Sequence, residues 1–237
     1  MQYLTKFLRE SLTLQYHSEL NPKFWVNIFL KEEVRKKLLE ISKEWLKFAE
    51  IPNSAVKDIV FTGGNANYNY TEDSDIDVHI ILDKSKIPNC SDEEYFKDKK
   101  LIWSLTHDIS VYGAEVEVYA QLGEVNIPKN QGVYSLKTGK WLVKPENLEL
   151  DFEHDDLLKK KIDDAIYQID HALENTTDTK AAEKLLEKFQ KLRKHSIAKS
   201  GEFTQDNLVF KELRNRGYID KIRKFIITMT DKKLSLN

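Results

Sequence analysis

Residues 61–82 read FTGGNANYNYTEDSDIDVHIIL, and this stretch decides the fold. Two adjacent glycines, Gly63 and Gly64, are followed by a polar loop and then by two aspartates, Asp75 and Asp77, inside the apolar run DIDVHIIL. Because side chains alternate between the two faces of a strand, the run predicts a β-strand that carries both carboxylates on one face. Neighbouring carboxylates repel each other and cost stability unless a cation neutralises them. The rest of the chain must therefore supply that cation or a site for it.

A second strand offers further carboxylates. Residues 114–122, AEVEVYAQL, alternate with period two and place Glu115 and Glu117 on one face. If this strand lies beside the first, one of the two glutamates joins Asp75 and Asp77. A site made only of carboxylate oxygens suits hard divalent ions such as Mg²⁺, with Mn²⁺ as the alternative ion. Both glutamates remain candidates for the third carboxylate, and Glu117 is our choice.

The glycine pair suggests a phosphate contact. Gly63 and Gly64 let backbone amides approach an anion closely, and a helix N-terminus just beyond them would favour phosphate. The side chain of Asn65 can add a hydrogen-bond donor there. Ser74 can either cap the turn or bind phosphate.

The order of the elements predicts an α+β protein with a mixed β-sheet core, flanking helices and a C-terminal helical lobe. Helices are predicted over 1–16, 31–50 and 91–107, strands over 58–62, 75–83 and 114–122, a hairpin through Thr138 and Gly139, and helices from 155 onward. We therefore expect two domains, residues 1–150 and residues 151–237.

Composition limits the class of protein. The chain has 237 residues, of which 32% are charged and 41% apolar, and one cysteine, Cys90, which excludes an intramolecular disulfide. The first 20 residues mix charges with leucines and lack the apolar core of a signal peptide. No window approaches the ~20 apolar residues of a membrane span. We expect a cytoplasmic protein without a membrane partner.

The charge is unevenly distributed along the chain. Residues 180–237 contain 15 Lys or Arg and 7 Asp or Glu, a balance of +8, so a net charge of −2 leaves −10 for the remainder. A basic end suggests an anionic partner, although a solvated helix surface has the same composition. Lys211 and Arg214 are our candidates for contacts with a triphosphate or an RNA acceptor.

The glycine pair, the spacer, the DID strand and the later VEV strand at 116–118 together resemble the signature of the DNA polymerase β nucleotidyltransferase superfamily. The segments LNPKFW, GVYSL and NLVFKELRNRGY are similar to uncharacterised phage-encoded members of that superfamily. The resemblance implies a nucleotidyltransferase core within residues 1–150. It assigns catalysis and metal binding to Asp75, Asp77 and Glu117, and nucleotide binding to the glycine turn.

The resemblance also implies a reaction. Two Mg²⁺ ions, about 3.5–4 Å apart in two-metal sites generally, would be held by the three carboxylates. A nucleoside monophosphate would pass from an NTP, with ATP as the candidate, to a hydroxyl of RNA, a protein side chain or a small molecule. Two alternatives remain open from the sequence: a non-catalytic module that senses NTP, and a signalling enzyme that joins nucleotides into an oligonucleotide.

Overall fold

The computed structural model describes residues 11–87, 93–124, 130–176 and 178–236. The α+β class predicted from the sequence is confirmed, with a mixed six-stranded sheet and a helical C-terminal region. The predicted N-terminal helix falls mainly on residues 1–10, which lie outside the described residues, and Cys90 and the start of the predicted helix over 91–107 also lie outside them. In chain order the elements are β1 Trp25–Val26, β2 Phe29–Leu30, α1 Glu32–Phe48, β3 Val56–Thr62, β4 Ile76–Leu82, α2 Glu93–Thr106, β5 Ser110–Val111, β6 Ala114–Leu122, β7 Val133–Ser135, β8 Lys140–Val143, α3 Asp156–Glu174, α4 Thr179–Ser200, α5 Gln205–Asn215 and α6 Tyr218–Leu234.

The large sheet has the strand order β5-β6-β4-β3-β7-β8. β4 and β6 are parallel, and the other neighbouring pairs are antiparallel. A parallel pair needs a crossover connection, which contains α2, and this helix packs against β6. The two strands that carry the acidic residues therefore lie side by side inside the sheet, as the sequence requires if their carboxylates are to share one face.

The interior strand β4 has one fully buried face, and its other face is partly exposed at Asp77 and His79 and buried again at Ile81. Ile76, Val78 and Ile80 are fully buried, whereas Asp77 and His79 between them are partly exposed. Burying each of these apolar side chains contributes about 1.5–3 kcal/mol. The buried face holds the strand in place, so the acidic face stays at a fixed position although its charges repel each other.

The helix α1 covers this core with one apolar stripe. Val34, Leu38 and Trp45 recur at helical spacing and are at most 1% exposed. The helix begins with two acidic residues in its first turn, which the helix dipole favours. The predicted helix over 31–50 agrees with the observed bounds to within two residues.

The chain divides into two compact units. One is Tyr16–Glu149, which contains the sheet. The other combines the described parts of Met1–Gln15 and Leu150–Asn237, and its helices α3 to α6 pack around buried residues such as Leu158, Ile166 and Leu213. The predicted domains 1–150 and 151–237 stay a prediction.

In the helical unit, Glu212 binds the segment that precedes the sheet unit. Its buried carboxylate accepts hydrogen bonds from the backbone N–H and hydroxyl of Thr13 and from the N–H of Leu14, at 2.7–3.2 Å. Arg216 pairs with the same carboxylate at 2.7 Å. Hydrogen bonds to a charged group contribute about 1.5–3 kcal/mol each, so Thr13 and Leu14 are fixed to α5.

Among the helices within the described ranges, none combines the length and apolar character that crossing a bilayer would require.

Candidate active site

The register of β4 and β6 brings the predicted carboxylates together on the sheet. Asp77 pairs with Glu117, and His79 pairs with Tyr119 one step further along the same face. Asp75 directly precedes β4 and is also partly exposed. Residues opposite each other in neighbouring strands project from the same face. Asp77 and Glu117 therefore stand side by side.

Glu115, the alternative third carboxylate, lies in a different environment. It pairs with Ser110 of β5 and is exposed to solvent. Glu117 is partly buried and directly opposite Asp77. The pairing with Asp77 supports Glu117, and the choice of Glu117 over Glu115 stays a prediction.

Gly63 is required by the carboxylate of Asp77. This glycine follows β3 with φ 80° and ψ −167°, a conformation that side chains with a Cβ rarely adopt. A Cβ at Gly63 would lie 2.8 Å from Cγ of Asp77 and would overlap its carboxylate. The carbonyl of Gly63 accepts hydrogen bonds from the N–H of Ala66 at 3.1 Å and the side-chain amide of Asn67 at 3.0 Å. The turn is therefore fixed tightly against the aspartate.

Gly64 and Ser74 face each other across the loop. A Cβ at Gly64 would lie 3.2 Å from the Ser74 hydroxyl oxygen. That oxygen accepts a hydrogen bond from the backbone N–H of Thr71 at 2.8 Å. Of the two roles that the sequence left open for Ser74, the observed contact is the turn cap.

Asn65 holds the backbone that carries Asp75. It is 1% exposed, and its side-chain amide donates to the carbonyls of Ser74 at 2.7 Å and Asp75 at 3.0 Å. Its side-chain oxygen accepts from the amide of Asn21 at 2.8 Å. Both amide hydrogens are thus engaged inside the protein. In this arrangement Asn65 positions an aspartate, a different role from the phosphate donor expected from the sequence.

Glu117 has two partners that the sequence reasoning missed. Lys100 of α2 places its ammonium nitrogen 2.9 Å from Oε2 of Glu117, and the Tyr119 hydroxyl donates to the same oxygen. The ammonium also lies 3.6 Å from the centre of the Tyr119 ring, a cation–π contact. The Tyr119 contact could have been anticipated from the shared strand face, whereas the Lys100 contact depends on how α2 packs.

Burial and neighbouring groups shift the pKa values of Tyr119 and His79. Burial raises the pKa of the Tyr119 phenol, and its hydrogen bond to Glu117 and the negative charges of Asp77, Glu117 and Asp75 raise it further. The phenol therefore stays protonated and remains a donor. Burial lowers the pKa of His79; a contact with Gln121 at 3.4 Å opposes that shift, and the charge of Lys100 adds to it.

The site fits a divalent cation in ligand type and strand register. Its donors are carboxylate oxygens, the ligands that Mg²⁺ and Mn²⁺ prefer, and Asp77 and Glu117 are adjacent. Yet no three His, Cys, Asp or Glu side chains within the described ranges are gathered closely enough to hold a metal ion. The Glu117 carboxylate binds Lys100 and Tyr119 in this arrangement.

Lys211 and Arg214, the two basic candidates, lie on α5 in the helical unit. Lys211 pairs with Glu202 at 2.9 Å, and the same carboxylate accepts from the side-chain amide of Asn207 at 3.1 Å. Arg214 is exposed near the end of the helix. Their role in nucleotide binding stays a prediction.

Comparison with known proteins agrees with this fold. A parallel strand pair with facing carboxylates, beside a glycine turn pressed against one of them, defines a nucleotidyltransferase-type core. The family model described as "Nucleotidyltransferase domain" matches residues 35–192, more than half of the chain. The chain belongs to this family of the DNA polymerase β superfamily, and its class of activity is nucleotidyl transfer.

Two solved structures are among the similar ones. The CdnE cyclic dinucleotide synthase of Elizabethkingia meningoseptica, with GTP and Apcpp, has 13% identity and a TM-score of 0.26 over 83% of this chain and 78% of that one. The STING-associated CdnE c-di-GMP synthase from Capnocytophaga granulosa has 11% identity and a TM-score of 0.21 over 86% and 83%. At these TM-scores neither likeness carries an argument. No curated protein matches the sequence.

Proposed function

We propose that this protein transfers a nucleoside monophosphate from an NTP, with ATP as the candidate donor, to a hydroxyl acceptor and releases pyrophosphate. The observation that supports this most directly is the facing pair of Asp77 and Glu117, with Gly63 leaving room for the Asp77 carboxylate. A surface carboxylate without a function needs neither a second carboxylate opposite it on the neighbouring strand nor a glycine that leaves room for it.

Asp75, Asp77 and Glu117 are the residues that would hold divalent cations, Mg²⁺ or Mn²⁺. When bound, such a cation neutralises the triphosphate and makes the acceptor hydroxyl more acidic. Asn65 fixes the backbone at Asp75, and Gly63 leaves room for the carboxylate of Asp77. The chain thus contributes preorganised negative charge at a fixed place on the sheet, which is the main protein contribution in reactions of this kind.

The bonds change as follows in the proposed reaction. The acceptor oxygen forms a bond to the α-phosphorus, and the bond from that phosphorus to the oxygen that bridges it to the β-phosphate breaks. Pyrophosphate leaves with the electron pair, and the hydroxyl proton passes to a carboxylate oxygen of Glu117. Gly64, next to the cap residue Ser74, is the proposed point at which backbone approaches a phosphate.

A labelling experiment tests the proposal. The protein is incubated with Mg²⁺, each α-labelled NTP in turn, and a mixture of cellular RNA and protein. The variant Asp75→Ala/Asp77→Ala is the inactive control, and Glu115→Gln is the matched control, since it removes an exposed carboxylate two residues from Glu117. We expect label in an RNA, a protein or a small acceptor with the wild type and with Glu115→Gln, and none with the double variant.

Other outcomes assign other functions. Labelled oligonucleotides formed from NTP alone would identify a signalling enzyme that joins nucleotides. Metal-dependent NTP binding with no transfer to any acceptor would contradict the proposal and identify an NTP-sensing module. Equal labelling by the wild type and the double variant would show that the carboxylates do not carry the reaction.

A further inference from the structure

A positive charge already stands at the proposed third metal ligand. The ammonium of Lys100 lies 2.9 Å from Oε2 of Glu117, and the Tyr119 hydroxyl donates to that same oxygen. Lys100 comes from α2, the helix within the crossover between β4 and β6. The crossover between the two parallel acidic strands therefore also contains the helix that places Lys100 on their shared face.

Further carboxylates lie near this ammonium. Asp77 stands directly across from Glu117 in the register of the two strands, and Asp75 precedes the same strand. Coulomb attraction of the carboxylates stabilises the lysine at this place, and a divalent cation is attracted by the same groups. Since Oε2 of Glu117 already accepts from two donors, a metal ion that used this oxygen would have to replace Lys100.

Lys100 is placed so that it can leave. Its side chain is 28% exposed and that of Glu117 is 30% exposed, so the ammonium can reach water without opening the core. The centre of the Tyr119 ring lies 3.6 Å from the ammonium, and this cation–π contact holds the ammonium near Glu117 when no competing ion is bound. An ammonium is strongly hydrated, and its flexible stem allows it to move between these positions.

We propose that Lys100 is the resident counter-cation of this site and competes with the divalent cation for Glu117. The inference rests on the proposed function in one respect, the assignment of Glu117 as a metal ligand. Lys100 stabilises the carboxylate of Glu117 before the metal ion binds, and it raises the concentration of metal ion that the site needs. It is a positioning residue, since it acts on the reaction through Glu117.

The test measures metal binding without nucleotide. Mn²⁺ is titrated into the full-length wild type and Lys100→Met, and free Mn²⁺ is measured by electron paramagnetic resonance. Methionine keeps the apolar stem and removes the charge. We expect Lys100→Met to bind Mn²⁺ about fivefold more tightly, the factor that corresponds to a partly exposed ion pair of ~1 kcal/mol.

Two further variants make the test specific. Lys97→Met removes the same charge from an exposed position one turn earlier on α2 and is expected to leave the Mn²⁺ affinity unchanged. In a Glu117→Gln background, adding Lys100→Met is expected to give no gain, because the group for which lysine and metal compete is absent. Circular dichroism and thermal unfolding show that each variant is folded.

The possible failures are distinguishable. If Mn²⁺ binds the wild type and Lys100→Met equally, or binds the variant more weakly, the competition is overturned and the metal site stands. An equal gain with Lys97→Met also overturns it, because the effect is then one of general charge. If neither folded protein binds Mn²⁺, the proposed metal site is overturned and the competition with it.

Discussion

The protein contains two lysine–glutamate pairs with the same separation and different surroundings. Lys100 lies 2.9 Å from Glu117 in the sheet unit, and Lys211 lies 2.9 Å from Glu202 in the helical unit. The first pair is 28% and 30% exposed, and the second is 18% and 13% exposed. Distance alone does not distinguish them, so the difference must come from the neighbouring groups.

The groups around Glu117 differ in charge from those around Glu202. Beside Glu117 stands a further carboxylate, that of Asp77, directly across the two strands. Burial alone would raise the pKa of Glu202, but the charge of Lys211 and hydrogen bonds from Lys211 and Asn207 outweigh it, with a further contribution from Arg193. The net result is a lowered pKa for Glu202. A pair whose carboxylate is surrounded by cationic and hydrogen-bonding partners stabilises a fold, whereas a pair beside a further carboxylate lies where another cation is attracted.

The strongest test of this comparison neutralises each glutamate. We expect Glu117→Gln to lower nucleotidyl transfer by on the order of 10²–10³-fold, the usual cost of losing one group that stabilises charge in the transition state. Its free energy of unfolding should change little, because removing one of three neighbouring carboxylates also removes repulsion. Transfer rates and urea unfolding measure the two effects.

The matched change is Glu202→Gln. It leaves the Lys211 ammonium without its charge partner and should cost about 2 kcal/mol of unfolding free energy while transfer at low temperature is retained. The comparison fails if both variants lose activity in proportion to stability.

The second test concerns the position of the sheet carboxylates. Gly63→Ala should destabilise the protein by about 3 kcal/mol, because it combines an unfavourable backbone conformation with overlap on Asp77. Gly113 has a φ of +84°, and nothing lies within 4 Å of a Cβ built there. Gly113→Ala should therefore cost only about 1 kcal/mol and leave transfer unchanged.

Thermal unfolding and transfer rates of Gly63→Ala and Gly113→Ala measure these effects on stability and activity. Equal effects on stability would mean that backbone conformation alone, and not room for the Asp77 carboxylate, requires glycine at position 63.

The third test removes each lysine. Lys211→Met leaves the largely buried carboxylate of Glu202 without its ion-pair partner, with the hydrogen bond from Asn207 retained, and we expect a loss of about 2 kcal/mol. Lys100→Met should cost less than about 1 kcal/mol, since Glu117 is more exposed and keeps the Tyr119 hydrogen bond. Urea unfolding of both variants measures the difference. A larger loss for Lys100→Met would contradict the assignment of the two pairs.

A feature of this protein could be predicted from the sequence where a local pattern of residues encodes it. The strands of Asp77 and Glu117 were predictable because a period of two is local, and the family signature placed them side by side. The contacts of Lys100 and Glu202 were not, because no local pattern shows which face of α2 packs against β6 or how the segment at Glu202 folds back onto α5. The role of Asn65 could not be predicted either, since a buried amide and a phosphate donor look the same in a sequence.

The smallest expected effect is the pH dependence of the stability that Glu202 contributes. The pKa of Glu202 is lowered below its ordinary value of 4.5, so the stability that its charge confers is fully present above pH 4.5. It is lost as the pH falls through the folded-state pKa, because protonation removes the charge that Lys211 pairs with.

The stability difference between the wild type and Glu202→Gln should therefore shrink on acidification below pH 4.5. The control is Glu115→Gln, which removes an exposed carboxylate of the sheet unit, and its stability difference from the wild type should stay small throughout. Urea unfolding of the three proteins between pH 7 and pH 3 measures it, and other carboxylates that titrate in this range cancel in the differences. A Glu202→Gln difference that is independent of pH would show that the carboxylate contributes by packing and hydrogen bonds alone, and the contrast between the two lysine–glutamate pairs would then rest on burial and not on charge.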